Sequence, residues 1–466
     1  MKHDVVIPKY VCDVYARIVG AGYEAYVVGG SVRDALMGTQ PQDWDLTTNA
    51  TPEQTQEVFG EDCFYDNSFG TVGVVVRLGE GEGEVKEVVH VTTYRSEGEY
   101  SDFRRPDKVE WGKTVRDDLQ RRDFTINAIA MKFNDIAVDD SEFVHLKVGD
   151  YVIVDPYGGL VDLQSELIRT VGEASARFHE DALRMLRAVR FHAQLGFDID
   201  DQVILAIREK AENIRHISGE RIRDELWKIL KTDRAYEGFQ MMDAVGLLEY
   251  IFPELVAGRG MDQRGHHMYD VFEHSMMALK HCPSPDPVVR LAALLHDIGK
   301  PVTHEVRDGI NTFYNHDIVG GKMINLIVYR LHLSKKDRAK LYTLVRYHMF
   351  SVDTIQTDSA VRRFIHKVGV DNIQDMVDLR IGDRLGSGTK QAEGWRLKEF
   401  KKRIEQLLMP TFTVKDLAID GKDVMRILGI TPGPKIGQVL NQLFEEVLDD
   451  PSKNTKEYLE QRTKEL

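Results

Sequence analysis

The sequence predicts an α+β head followed by a long all-helical body, and three observations carry that expectation. Over the first 140 or so residues, short β-branched runs ("AYVVGG", "DWDLTT", "TVGVVVRL", "EVVHVTTYR") alternate with amphipathic segments. After "YVIVDPYGGLVDL" the strand pattern stops, and from about Glu173 apolar residues recur at helical spacing almost to the end. At 466 residues the chain is also too long for one hydrophobic core.

In the head, "PKYVCDVYARIVG", "SVRDALMG" and "TPEQTQEVFG" read as helices, the last opened by Thr51, Pro52 and Glu53 as cap and first turn. "LGEGEGEV" reads as a glycine-rich hairpin turn, because no lysine or helix follows it. "SEGEYSDFRRPDKVEW" is polar and turn-rich and reads as a mobile loop. In the body, "ARFHEDALRMLRAVRFHAQLGF", "DQVILAIREKAENI", "ERIRDELWKILK", "PVVRLAALLHDIG" and "NQLFEEVLDD" are helical by periodicity. "TPGPKIG" is the clearest late break and marks a small tail unit.

Composition narrows the class of protein. A content of 42% hydrophobic and 29% charged residues is ordinary for a globular protein. No apolar run spans a bilayer, "MKHDVVIPKY" has no signal-peptide pattern, and Cys12, Cys63 and Cys282 show no pairing or zinc spacing. A reducing cytoplasm with no membrane partner is the expectation. The net charge of −14, from 61 basic and 75 acidic residues, argues against indiscriminate nucleic-acid binding. It leaves room for one RNA on a local basic face, and no DNA partner is expected.

The most informative stretch is "VVGGSVRDALMGTQPQDWDLTTNA". Residues two apart on a strand point the same way, so Asp43 and Asp45 are expected on one face with Trp44 on the other. Two carboxylates that close repel unless a cation lies between them, and Mg2+ takes carboxylate and phosphate oxygens together. Upstream, Gly29 and Gly30 allow close backbone approach, and a helix N-terminus with Arg33 suits a triphosphate. A bare DxD is common by chance; the order strand, GG, helix, loop, strand with DxD points to phosphoryl or nucleotidyl transfer.

"GGSVRD" followed by "DWDLTT" resembles the head of the class II tRNA nucleotidyltransferases and bacterial poly(A) polymerases, within the polymerase-β-like superfamily. The resemblance implies that Asp43 and Asp45 hold magnesium ions, and that Gly29, Gly30, Arg33 and Asp34 form the nucleotide-binding turn. "RRDFTINAIA" resembles the second motif, with Arg121 or Arg122 toward phosphates, Asp123 toward ribose hydroxyls, and Asn127 within the nucleotide site. "DPYGGLVDL" resembles the third, with a hinge or a packing role. In "HEDALRMLRAVRF", Glu180, Asp181 and Arg184 fit the family's EDxxR, and Arg187 and Arg190 are counted with the nucleotide-binding residues. On a helix, Asp181 and Arg184 would present an acceptor and a donor together. That pair matches the amine and ring nitrogen of cytosine or adenine, whereas uracil and guanine set acceptor against acceptor. Glu180 would orient the arginine. "SGERIRDELWKIL" resembles the fifth motif, with Ser218 as a helix cap and a buttressing role only.

The region between the first two motifs lacks an arginine-rich "GRRF"-like cluster, which favours CCA addition over poly(A) addition. One departure is His90 before "VTTYR", where relatives tend to have an acid; Glu87 is the nearest replacement. Further on, "ALLHDIGK" places His296 and Asp297 together in an apolar segment, which is costly unless they bind a metal or each other. With His274, His316, His348 and Asp383 they resemble the complete H…HD…H…H…D order of the HD metal-dependent phosphohydrolases. That site would hold a divalent transition metal (Mn, Ni, Co or Fe) or Mg2+ and activate water. "AIDGKDVMRILGITPGPKIGQVLNQLFEEVL" resembles the tail of HD-bearing relatives, either gripping RNA phosphate around Gly433 to Gly437 or forming a plain helix-turn-helix core.

The combined expectation is a polymerase-β-like head (1–145), an all-α neck (146–235), an HD body (236–395) and a helical tail contacting tRNA (396–466). The expected reaction is template-independent addition or repair of CCA at tRNA 3′ ends from CTP and ATP, with HD-dependent hydrolysis of phosphate or cyclic-phosphate ends. The rivals are a poly(A) polymerase, a chain whose main activity is the HD phosphohydrolase, and an RNA-binding module without turnover.

Overall fold

A computed structural model of the chain describes residues 4–41, 43–67, 70–79, 85–97, 109–134, 143–263, 268–352, 356–389, 394–407 and 413–466. Two compact units, Met1–Ile251 and Phe252–Leu466, divide it. The tip of the expected glycine-rich hairpin (80–84) and most of the expected mobile loop (98–108) lie outside the described residues.

The first unit is built on a seven-stranded mixed sheet. In spatial order its strands are Tyr151–Val154, Ala130–Phe133, Ala25–Val28, Trp44–Thr48, Val85–Thr93, Thr71–Leu78 and Cys63–Asn67. All neighbours are antiparallel except Trp44–Thr48 against Val85–Thr93, whose parallel register sets Asp45 opposite His90. The helices Lys9–Gly20 and Pro52–Phe59 pack on this sheet. Trp44, Leu46, Val72, Val74, Val89 and Val91 are buried in its core. Asp45 and His90, on alternate positions of their strands, stay half-exposed on the other face. The helix at Pro52 carries the expected Thr51 cap, completed as a capping box by Gln54.

One stretch differs from expectation here. The run "ARFHEDALRMLRAVRFHAQLGF" is two helices, Ala174–Glu180 and Leu183–Leu195, broken at Asp181, whose carboxylate accepts the Leu183 N–H at 3.1 Å. "RRDF" lies in the turn after the helix Val115–Gln120. The turn "DPYGGLVDL" is closed by its own carboxylate: Asp155 accepts the Gly159 and Leu160 N–H groups at 2.7 and 2.9 Å. A Cβ on Gly159 would stand 2.2 Å from the Thr125 carbonyl oxygen.

The second unit is mainly helical, with Val271–His281, Pro287–Leu295, His316–Arg330, Lys335–Tyr347 and Ile373–Gly386 around its centre. Strands do not stop with the head: Glu305–Arg307 and Ile310–Thr312 pair antiparallel across Asp308-Gly309, both at positive φ. Asp-Gly is a strong two-residue hairpin signal, and periodicity alone missed it. In the tail, Gly421–Leu428 and Pro434–Asp449 close over Val424, Val439, Leu443 and Phe444, a helix-turn-helix core with the "PG" break as its turn.

Because the atom opposing Gly159 is a backbone carbonyl, Gly159→Ala is expected to destabilise the first unit by at least about 2 kcal/mol, measured by urea unfolding.

Candidate active site and metal centre

Gly29 adopts φ 80°, a conformation glycine takes without strain, and a Cβ there would lie 2.7 Å from the Arg122 guanidinium. The chain can therefore turn from the strand Ala25–Val28 into the helix Gly30–Leu36 directly beneath that arginine. Arg122 in turn is held by Asp118, whose Oδ2 accepts from it at 3.2 Å while Oδ1 accepts from Arg121 at 2.6 Å. Asp118 is fully buried; the two guanidinium groups outweigh the desolvation that opposes its charge and hold its pKa down. Sequence reasoning missed Asp118, although its i+3 and i+4 spacing to Arg121 and Arg122 was a usable signal.

Only Asp45 lies on the strand Trp44–Thr48; Asp43 is in the bend just before it, so strand alternation orients Asp45 alone. Burial raises the Asp45 pKa, Arg122 and His90 counter that rise, and Asp43 adds to it. His90 Nδ1 is 3.9 Å from Asp45 Oδ1. Glu87, three residues earlier on the same strand, alternates to the other face and does not occupy the place that His90 takes beside Asp45. The carboxylates of Asp43 and Asp45 are hard oxygen donors, and Asp45 pairs with Val28 just before the glycine turn, a set that fits a divalent cation such as Mg2+.

The other nucleotide-site residues form a charged lattice. Arg33 is buried, bonded to Asp34 at 2.8 Å and Asn127 at 2.7 Å, with its guanidinium over Phe191. Asp123, expected at the ribose, is turned inward: it accepts from its neighbour Phe124 N–H, from Asn127 and twice from Arg187, at 2.6 and 2.5 Å. Burial opposes its charge, but Arg187 and Arg184 prevail and hold its pKa at about 2. Arg190 pairs with Glu225 at 2.8 Å and lies over Phe191; burial and Arg187 bring its pKa down to about 10.

Asp181 lies in the break between two helices and Arg184 in the first turn of the second, so the pair does not share one continuous helix face. Arg184 bonds Glu180 at 2.5 Å and the Arg121 carbonyl at 3.2 Å. Asp181 is gripped by Arg221, at 3.3 and 2.7 Å. Arg221 lies on Gly219–Leu230, the helix expected to have only a buttressing role, and Ser218 at its N-cap makes no side-chain cap bond. That helix thus contacts the site twice, through Arg221 and Glu225.

In the second unit, all six expected residues converge. Asp297 Oδ2 faces His274 and His296 at 3.3 and 3.1 Å, while its Oδ1 faces His316 and His348 at 3.3 and 3.7 Å. Asp383 Oδ1 completes the first group, 3.2 Å from His274. Nδ1 of His296, His316 and His348 each meets a backbone carbonyl three residues earlier at 2.7–2.8 Å. A carbonyl only accepts, so each Nδ1 donates and each Nε2 points inward as a ligand atom. Among the described residues, groups of three candidate ligands close enough for one ion occur only here, and both groups contain Asp297. Four imidazoles and two carboxylates suit a divalent transition ion. Burial depresses the His348 pKa to about 4, keeping that ring neutral, as a metal ligand must be. Gly299 makes the geometry possible: a Cβ there would meet the His316 carbonyl oxygen at 2.1 Å. Lys300 caps the cluster, 2.6 Å from Asp297.

The sheet with its glycine turn and acidic strand defines a polymerase-β-like nucleotidyltransferase, joined to an HD metal centre. Residues 25–169 match the family model described as poly A polymerase head domain, 264–384 the HD domain, and 356–462 tRNA nucleotidyltransferase domain 2. The chain is similar to the A-adding tRNA nucleotidyltransferase of Deinococcus radiodurans, 33% identical over 90% of this chain and 91% of that one. It is also similar to the CCA-adding enzyme of Levilactobacillus brevis, 32% identical over 95% of this chain and 94% of that one. A crystal structure of the Bacillus stearothermophilus CCA-adding enzyme in complex with CTP aligns with a TM-score of 0.68 at 25% identity, covering 98% of each chain. The chain belongs to the tRNA nucleotidyltransferase family, and it is an enzyme of the nucleotidyltransferase class.

The Asp123–Arg187 pair carries a pH signature. An acid whose folded pKa is depressed to about 2 contributes stability that is fully present above its unfolded value near 4 and lost as pH falls through 2. Asp123→Asn is expected to cost on the order of 2 kcal/mol at pH 7, and the difference from the parent chain should shrink below pH 4 in urea titrations.

Proposed function

We propose that the chain adds C and A to tRNA 3′ ends from CTP and ATP without a template. The observation that carries this reading is the half-exposed Asp45 with Asp43 just before its strand, beside the Gly29 turn and the Asp118-held Arg122. Magnesium ions held by Asp43 and Asp45 would activate the terminal RNA hydroxyl and support the leaving pyrophosphate. The protein's own part is positional. Arg121 and Arg122, held from beneath by Asp118, offer donors to phosphate oxygens. Asp181 and Arg184 offer the acceptor and donor that match cytosine and adenine. The division into head, neck, HD body and tail at about 145, 235 and 395 belongs to the same proposal.

A second reading has one specific support: the Deinococcus radiodurans relative is an A-adding enzyme. Transcripts ending before CCA, and others ending at CC, distinguish the two when incubated with CTP alone, ATP alone and both. Full addition to the first substrate supports CCA synthesis. Extension of only the second, by ATP, supports A addition, and long A tracts on generic RNA would reveal a poly(A) polymerase.

For the HD centre we propose metal-dependent hydrolysis of phosphate or cyclic-phosphate RNA ends, with Asp297 shared between two ions, the metal being Mn, Ni, Co, Fe or Mg. Such ions would activate the attacking water. Metal analysis should find two equivalents bound to the second unit's ligands, falling to one in His316→Ala. Asp297→Ala should abolish hydrolysis while leaving nucleotide addition intact, and Asp43→Ala should do the reverse.

A further inference from the structure

A carboxylate offers about four acceptor positions, and three of those on Asp181 are filled. Its Oδ1 accepts from Leu183 N–H at 3.1 Å and Arg221 Nη1 at 3.3 Å, and its Oδ2 accepts from Arg221 Nη2 at 2.7 Å. No donor from the described residues takes the fourth. The pair is largely shielded, with side-chain exposures of 27% for Arg221 and 16% for Asp181, so salt and water compete weakly for it. Arg184 is held separately, by Glu180 and the Arg121 carbonyl.

We propose that Arg221 is a positioning residue that sets nucleobase choice, by clamping Asp181 so that one acceptor position remains in one direction. This rests on the reading that Asp181 and Arg184 face the incoming base. A fixed acceptor meets the exocyclic amine of cytosine or adenine. Uracil and guanine place a carbonyl there, and two acceptors oppose each other. Their ring N–H lies one atom away, out of reach of a clamped carboxylate. Released from the guanidinium fork, Asp181 rotates about its terminal torsion and can follow that N–H, so the contrast between bases falls. Lysine supplies charge without the planar fork and restores the clamp only in part.

The test is single-nucleotide extension of a tRNA transcript, with kcat and KM measured separately for CTP and UTP in the parent chain, Arg221→Ala, Arg221→Lys and Asp181→Ala. The expected result for Arg221→Ala is a rise of about tenfold or more in the UTP/CTP ratio of kcat/KM, about 1.4 kcal/mol of lost discrimination. Arg221→Lys should fall between it and the parent. If Arg221→Ala does not fold, Arg221→Lys decides by the same ratio. Equal losses for CTP and UTP, with the ratio unchanged, would mean that Arg221 only supports the neck and would overturn the proposal. Asp181→Ala separates the two layers: an unchanged ratio there defeats the selector reading itself. A changed ratio there but not in the Arg221 variants defeats the clamp alone.

Discussion

Electrostatic compensation of crowded carboxylates is the constraint on which the first unit depends. Burial does most to raise the energy of a charged Asp45, with Asp43 and Asp118 adding to it, and Arg122 and His90 work in the other direction. Arg122 can lie there because Asp118, itself buried, anchors two adjacent guanidinium groups, and because Gly29 leaves space for one of them. The site is therefore a cationic frame around an acidic pair, with the acids themselves facing outward. Such a frame favours a ligand that brings both divalent cations and phosphate.

The same logic repeats through the neck. Asp123 holds Arg187, Glu225 holds Arg190, Glu180 holds Arg184 and Arg221 holds Asp181. Each functional side chain is committed to a partner from another turn or helix, so its free donor or acceptor positions are few and directed. Buried pairs of this kind add little net stability compared with apolar packing, and removing one partner is costly. Their value here is orientation. The HD centre solves a related problem with backbone carbonyls, which aim three imidazoles at one shared aspartate.

Much of this was legible in the sequence because the residues involved have few alternative uses. Paired glycines before a helix, two acids around a tryptophan, and histidines with aspartates in a fixed order all leave local signatures. What could not be read was set by tertiary contacts. "HEDALR" contains no glycine or proline, so the helix break at Asp181 is invisible until Arg221 and the Leu183 N–H are seen to draw on its carboxylate. Asp123, expected at the ribose, is held by Arg187, 64 residues away in the sequence, a pairing that no local pattern shows. Asp43 falls outside the strand, where period-two reasoning has no force. The hairpin at Asp308-Gly309 was readable and overlooked, since helical periodicity on both sides masked a two-residue turn signal.

The proposed chemistry of the first unit requires Asp43 and Asp45 to gather divalent cations against a bound triphosphate. Counting Mn2+ by electron paramagnetic resonance tests it most directly, using protein whose HD ligands are substituted and a non-hydrolysable CTP analogue. Mn2+ binding is expected to depend on the analogue and to disappear in Asp45→Ala. Undiminished binding in that variant, with the fold intact by circular dichroism, would contradict it.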